Sequence, residues 1–230
     1  MRILLKISGD ALSWEKDFWI DASYVEQVVW LINDIKKQWV SIAIVVWGGN
    51  IYRWWDLIKS WVKPTDSHNL SMLSTIFNWV ILKDFLLKKW LETTVMNPLG
   101  INFLDTYNKY SAIRKLNDWE IIICVWWTGS PYFTTDTWWV LRALELECDM
   151  MIKATKVDGV YDKDPVYHND AKIYKTISYD EAIIKNLKIM DITALVMARD
   201  NSLPISVVNL ANPSDIKDVL NWKNSWTLIS

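Results

Sequence analysis

Short runs of branched apolar residues recur along this chain at 3–7, 42–46, 93–96, 121–125, 150–154 and 205–209. The runs at 42–46 and 121–125 are continuous rather than alternating, the mark of strands buried on both faces. Between the runs lie longer segments with apolar residues at helical spacing, clearest at 22–38, where Val25, Val28, Val29, Ile32 and Ile35 share one side. Helices are likewise predicted at 70–89, 108–117, 137–147 and 191–201, and a short edge strand at 227–229. Strands alternating with helices predict an α/β three-layer sandwich with a mostly parallel central sheet. In such folds ligands sit beyond the carboxyl ends of the strands, where this chain places its polar loops: after Ile7, Val46, Val125 and Ala154.

The length, 230 residues, suits one domain or two closely fused lobes. With 25 basic against 27 acidic residues, bulk charge gives no support to nucleic-acid or membrane binding. No uninterrupted apolar stretch reaches the roughly 18 residues of a bilayer span, and residues 1–6 lack the apolar length and cleavage site of a signal peptide. Cys124 and Cys148 lie in apolar runs without C-x-x-C spacing and read as buried free thiols. Together these features predict a cytosolic protein. The longest loop candidate, 157–172, offers a boundary between two lobes.

Four loops carry candidate chemistry. In Lys6-Ile7-Ser8-Gly9 a strand-end ammonium and backbone N–H groups can meet a phosphate, although a surface lysine on an edge strand would look the same. In Trp47-Gly48-Gly49-Asn50-Ile51-Tyr52-Arg53 two glycines permit close backbone approach to an anion, and Arg53 could fork onto it. The stretch from Thr128 to Asp136 combines hydroxyls, a rigid proline, two aromatics and a carboxylate before a helix, with Asp136 as a possible N-cap. Finally, Lys153-Ala154-Thr155-Lys156, followed by a turn with Tyr161 and several acids, could hold a nucleotide or be a solvated loop. There is no G-x-x-x-x-G-K-S/T and no protein-kinase motif set. His68 and His168 have no metal-ligand spacing, and each reads as a surface or loop histidine.

Taken in order, "RILLKISGDAL", "VVWGGNIYRW", "TGSPYFTTDT", "IKATKVDGVYDKDP" and "MDITALVMARDNSLPI" resemble the bacterial uridylate (UMP) kinases of the amino-acid kinase superfamily, over practically the whole chain. The resemblance implies the amino-acid kinase fold, with a UMP site in an N-terminal lobe of about 1–148 and an ATP site in a C-terminal lobe of about 149–230. It implies phosphoryl transfer from Mg·ATP to UMP, giving UDP and ADP. Lys6, Arg53 and Asp136 would be catalytic, Asp136 orienting the lysines. Lys6, Ser8, Gly9, Gly49, Arg53, Thr155, Tyr161 and Asp164 would contact ATP. Gly48, His68, Thr128, Gly129, Ser130, Pro131, Tyr132, Phe133, Thr134 and Thr135 would contact UMP, His68 standing where the family has a ribose-binding Asp. No protein-held metal site is implied; Mg²⁺ comes with ATP. A homohexamer, GTP activation and UTP inhibition also follow from the resemblance. Another small-molecule kinase of the superfamily, or an inactive nucleotide-binding regulator, are the alternatives.

One composition figure is out of line. The chain has 17 Trp and only 6 Gly, where ordinary usage gives roughly 16 Gly for this length. Where the resembled family has glycine, this chain has Trp14, Trp19, Trp39, Trp47, Trp54, Trp61, Trp79, Trp126, Trp222 and Trp226, with Trp90, Trp119 and Trp127 alongside. An indole neither reaches positive φ cheaply nor lets backbone approach a ligand. The expectation is that the source organism reads UGA as glycine where the written sequence has tryptophan.

Overall fold

The computed structural model describes residues 1–8, 20–52, 61–125, 130–165, 167–210, 212–221, 223 and 226–230. Gly9, Arg53, Thr128 and Gly129 lie outside the described residues.

Along the chain run β1 (Arg2–Ile7), α1 (Ala22–Lys36), β2 (Ser41–Val46), α2 (Pro64–Leu87), β3 (Thr93–Asn97), β4 (Asp105–Thr106), α3 (Lys109–Asn117), β5 (Ile121–Cys124) and α4 (Thr135–Glu145). Then come β6 (Met150–Thr155), β7 (Val160–Tyr161), β8 (Ile173–Tyr174), β9 (Thr176–Ile177), α5 (Tyr179–Ile184), α6 (Ile192–Asp200), β10 (Ile205–Asn209), α7 (Pro213–Leu220) and β11 (Thr227–Ile229). One sheet takes the order β4-β3-β5-β2-β1-β6-β10-β11-β9. Every pairing in it is parallel except β10 with β11. The run at 227–229 is therefore not the edge: β11 lies between β10 and the two-residue β9. A two-residue strand has no readable period, which is why β4, β7, β8 and β9 leave no trace in the apolar pattern.

Helices cover both faces. Alternation along each strand sends Ile3, Leu5 and Ile7 into one core layer with α1, the second half of α2 and α7. Leu4 and Met151 point the other way, among α3, α4, α5 and α6. Lys6 and Lys153 fall on this second face by the same alternation, and they are direct neighbours across β1 and β6.

Local signals explain most boundaries. Asp21 accepts from the Ser23 amide at 3.0 Å and starts α1, and Asn108 does the same for α3 through Ser111 at 3.0 Å. Helix α2 begins six residues before the apolar pattern predicts, because Pro64 sets its first turn and the polar residues after it carry no periodicity. This 24-residue helix is also long and apolar enough to cross a bilayer by length and composition, with a mean hydropathy of 1.4 over its best window, although its apolar residues form no uninterrupted run. Its place is nevertheless in the fold: Trp79, Leu82 and Leu86 are buried in the core. Cys124 and Cys148 are free and buried, as expected.

Candidate active site

Strands β5, β2, β1, β6 and β10 end side by side along one edge of the sheet. From β1 the chain moves to β2 on one side and later to β6 on the other, so β1 and β6 flank the point where strand order reverses. Lys6 and Lys153 stand at that point, paired in register.

Both lysines meet one carboxylate. Asp136, in the first turn of α4, forms an ion pair with Lys6 Nζ through Oδ1 and lies 3.6 Å from Lys153 Nζ through Oδ2. Lys153 Nζ also donates to the Ile189 carbonyl. The three side chains are 11%, 15% and 18% exposed for Lys6, Lys153 and Asp136, so water screens them little. Burial alone would raise the Asp136 carboxyl, but the Lys153 and Lys6 ammoniums outweigh it and hold the group below the ordinary carboxylate range. Burial pushes the Lys153 ammonium down to about 8; Asp136 opposes that push and Lys6 adds to it. Lys6 is thus no surface residue. Its aliphatic stem crosses the second core layer, and its ammonium lies 5.6 Å from the Trp139 ring.

The cap of α4 is Thr134, not Asp136: Thr134 Oγ1 accepts from the Asp136 and Thr137 amides at 3.0 and 3.3 Å. This frees the Asp136 carboxylate to face the lysines. Thr134 is itself held by Asp191, which also accepts from Thr137 Oγ1 at 2.9 Å and caps α6 through the Ala194 amide at 3.0 Å. One carboxylate therefore locks the starts of two helices together beside the lysine pair.

A cavity of 380 Å³ opens beyond β6 and contains all three residues expected at an ATP site that lie at this end: Thr155, Tyr161 and Asp164. Lys153 lines it too and so connects it to the Asp136 pair. Its walls come from the first strand of the β7–β8 hairpin, which falls in the 157–172 stretch expected as a loop, and from the 185–189 turn. Gly159 lets the hairpin approach β11: a Cβ there would lie 2.4 Å from Thr227 Oγ1, which accepts the Val160 amide at 2.9 Å.

On the other side of Lys6, Ser8 follows β1, and Gly48 and Gly49 follow β2 on the neighbouring strand end. Both glycines are buried: a Cβ on Gly48 would meet Ser74 Oγ of α2 at 2.0 Å and the Thr75 nitrogen at 2.9 Å, and one on Gly49 would meet the Trp47 ring at 2.5 Å. Asn50 and Asn78 exchange side-chain hydrogen bonds at 2.8 and 2.9 Å, and Asn78 also donates to the Trp47 carbonyl at 2.9 Å. His68 is buried in α2, not on the surface, because α2 starts early enough to include it. Burial lowers its imidazole pKa, and its ring centroid lies 5.2 Å from that of Tyr132. His168 is exposed, as expected. Ser130, Tyr132, Phe133 and Thr134 are exposed and Pro131 half-buried along the loop into α4, whose first residue, Thr135, is buried.

The structure thus gathers Lys6, Asp136, Ser8, Gly48, Gly49 and the 130–135 loop around one strand edge, with Thr155, Tyr161 and Asp164 in the adjoining cavity. It adds Lys153 and Asp191, neither of which had an individual role in the sequence reading. Lys153 had a signal: an ammonium interrupting a buried apolar run. Asp191 had a weaker one, an N-cap position before a helix.

The sequence model of the amino acid kinase family matches residues 1–209. The chain is 39% identical over 230 residues to the uridylate kinase of Haemophilus ducreyi, covering 100% of this chain and 97% of that one. Among solved structures, the UMP kinase from Bacillus anthracis superposes with a TM-score of 0.96 at 31% identity, covering 100% of this chain and 95% of that one. The UMP kinase from Ureaplasma parvum gives 0.92 at 33% identity, with 100% and 98% covered. With its sheet order, its strand-edge lysines and these relatives in agreement, the chain belongs to the amino acid kinase family, among the uridylate kinases.

Proposed function

We propose that this chain moves the terminal phosphoryl group of ATP onto UMP, giving UDP and ADP. The observation that carries this reading is Asp136 holding two buried ammoniums from adjacent parallel strands, one of which also lines the nucleotide-sized cavity. Phosphoryl transfer asks for positioning and charge neutralisation along an in-line path rather than for covalent help. Lys6 and Lys153 supply two fixed positive charges there. Asp136 keeps them from repelling each other apart and lets each pivot between carboxylate and phosphate. ATP would lie in the cavity against Thr155, Tyr161 and Asp164, with Lys6, Ser8, Gly9, Gly49 and Arg53 toward its phosphates. UMP would lie across Thr128 to Thr135, with Gly48 at its phosphate and His68 beside Tyr132.

Mg²⁺ enters this reading as the counter-ion of ATP. Among the described residues no three carboxylates, imidazoles or thiols converge to hold a cation. Lys6 and Lys153 at the transfer point donate rather than coordinate, so such a metal would take phosphate oxygens as its main ligands and neutralise charge during transfer.

The same reading takes the chain as two lobes, about 1–148 and 149–230, meeting at the β1–β6 pairing. It takes the protein as cytosolic, in keeping with two buried free thiols. Self-association is supported by the outer face of α2, where Leu70, Leu73, Phe77 and Val80 are 39–53% exposed at helical spacing, and a homohexamer rests on the family resemblance. GTP activation and UTP inhibition rest on the family resemblance alone.

A coupled assay of ADP release with UMP, CMP and amino acids as acceptors tests the proposal. Turnover with UMP in strong preference is the expected result. Preference for an amino acid would move the chain to another branch of the family, and nucleotide binding without turnover would make it a regulator.

A further inference from the structure

Four tryptophans occupy backbone that is shaped for glycine. Trp39, Trp61, Trp90 and Trp119 have φ of 59°, 70°, 61° and 66°. In this left-handed region a bulky side chain is an outlier and glycine is the ordinary occupant. None of the four is compensated by burial: they are 75%, 99%, 93% and 43% exposed.

Two of the four stand in a defined helix-ending motif. At the end of α2 the Trp90 amide donates to the Leu87 carbonyl at 3.0 Å and the Leu91 amide to Leu86 at 3.2 Å. At the end of α3 the Trp119 amide donates to Leu116 at 3.2 Å and the Glu120 amide to Lys115 at 2.9 Å. This pair of bonds requires a left-handed residue at the position of the tryptophan, most often glycine. Trp39 closes the turn after α1, its amide donating to Lys36 at 3.1 Å. The corresponding positions after α4, α5 and α6 hold Glu147, Asn186 and Ser202, so the backbone demand is general and the tryptophans are what is unusual.

The buried tryptophans misfit in the opposite way. The indole N–H groups of Trp79, Trp138, Trp139 and Trp226 are buried with no acceptor among the described residues. A buried indole ordinarily finds one.

We infer that the working form of this protein carries glycine at positions 39, 61, 90 and 119, where one codon, UGA, has been read as tryptophan. A single codon given either meaning connects tryptophan with glycine without any side-chain similarity. An apparent ligand site disappears with those tryptophans. The cavity of 440 Å³ formed by Lys36, Lys37, Trp39 and Trp119 exists because the two indoles stand edge to face, 5.5 Å apart. With glycine at both positions the two indole walls are gone and no cavity remains there.

The test has two arms, neither of which needs the proposed activity. Codons at the four positions are read from the gene, and the matching peptides from protein purified from its own host are weighed. UGA codons with glycine peptide masses are expected; UGG codons with tryptophan masses overturn the inference. In the second arm the chain with all four positions changed to glycine is melted beside the chain with all four changed to alanine. The glycine form melts higher, by about 4 °C or more, because only glycine relieves the left-handed backbone. An alanine form that equals or exceeds it overturns the inference. A chain with glycine at every one of the thirteen tryptophan positions named above that melts higher yet fails to turn over UMP would leave this inference standing and remove the kinase reading instead.

Discussion

On the two sides of Lys6 the strand edge is held together differently. Toward β6, Lys6, Lys153 and Asp136 are locked by charge in a water-poor setting. Toward β2, Gly48, Asn50 and the inner face of α2 meet through neutral hydrogen bonds and an approach too close for any side chain. The charged side is built to respond to a moving phosphoryl group, since its partners can be exchanged for phosphate oxygens. The neutral side cannot respond in that way. It fixes the shape against which the responsive side works, and it does so with an unusually polar stretch of α2, which buries Ser67, Ser71, Ser74, Thr75 and Asn78 beside Met72 and Trp79 while Leu70, Leu73, Phe77 and Val80 stay exposed.

The contrast can be broken most severely at Asp136. Asp136→Asn leaves two neighbouring buried ammoniums without their shared counter-charge, and a loss of about 3–5 kcal/mol in chemical denaturation is expected, with turnover falling alongside. Unchanged stability would show that the lysines do not depend on Asp136. Next is Lys6→Met, which removes one of the two charges but keeps the stem's packing. Turnover with UMP should drop about 10²–10³-fold while the melting temperature moves little; an equal fall in both would make Lys6 a structural residue.

On the neutral side Gly48→Ala should cost about 1–3 kcal/mol. Adding Ser74→Ala should not restore it, because the new Cβ also lies 2.8 Å from the Ser74 backbone carbon. Full rescue would mean that the hydroxyl alone sets the distance. A smaller effect separates the two sides by pH. With the Lys153 ammonium pushed down to about 8 from an ordinary 10.5, kcat/KM for ATP should fall as pH rises through about 8. Stability should move the other way in the same range: the folded state holds fewer protons there than the unfolded chain, so the cost of burying the charged form, full below about 8, is relieved as pH rises toward 10.5. Lys153→Arg should carry the activity limb to higher pH, and a limb that stays put would assign it to another group. The smallest expected change is Asp191→Asn, about 1–2 kcal/mol through its cap and the two threonines. The KM for UMP should rise more than kcat falls, since the 130–135 loop would loosen while the lysines stay paired.

Residues 42–46 and 121–125 announced a parallel sheet because strands buried on both faces must be apolar throughout, and the apolar runs at 3–7, 150–154 and 205–209, alternating with helical segments, extended it; that constraint is written locally. The same logic placed the polar loops at strand ends and brought Lys6, Gly48 and Asp136 into view. It could not say that Lys153 stands next to Lys6, because that neighbour relation is set by a β1–β6 pairing across 147 positions of chain. Nor could it free Asp136 from the cap, since Thr134 takes that role with the support of Asp191, 57 residues away. His68 looked solvent-facing because its burial depends on a helix whose first turns have no apolar period. Sequence alone determined the layers, the strand-end position of the chemistry and the excess of tryptophan over glycine. Only the tertiary structure decided which charges share a carboxylate and which tryptophans sit on left-handed backbone, because both are properties of geometry between elements rather than of composition within them.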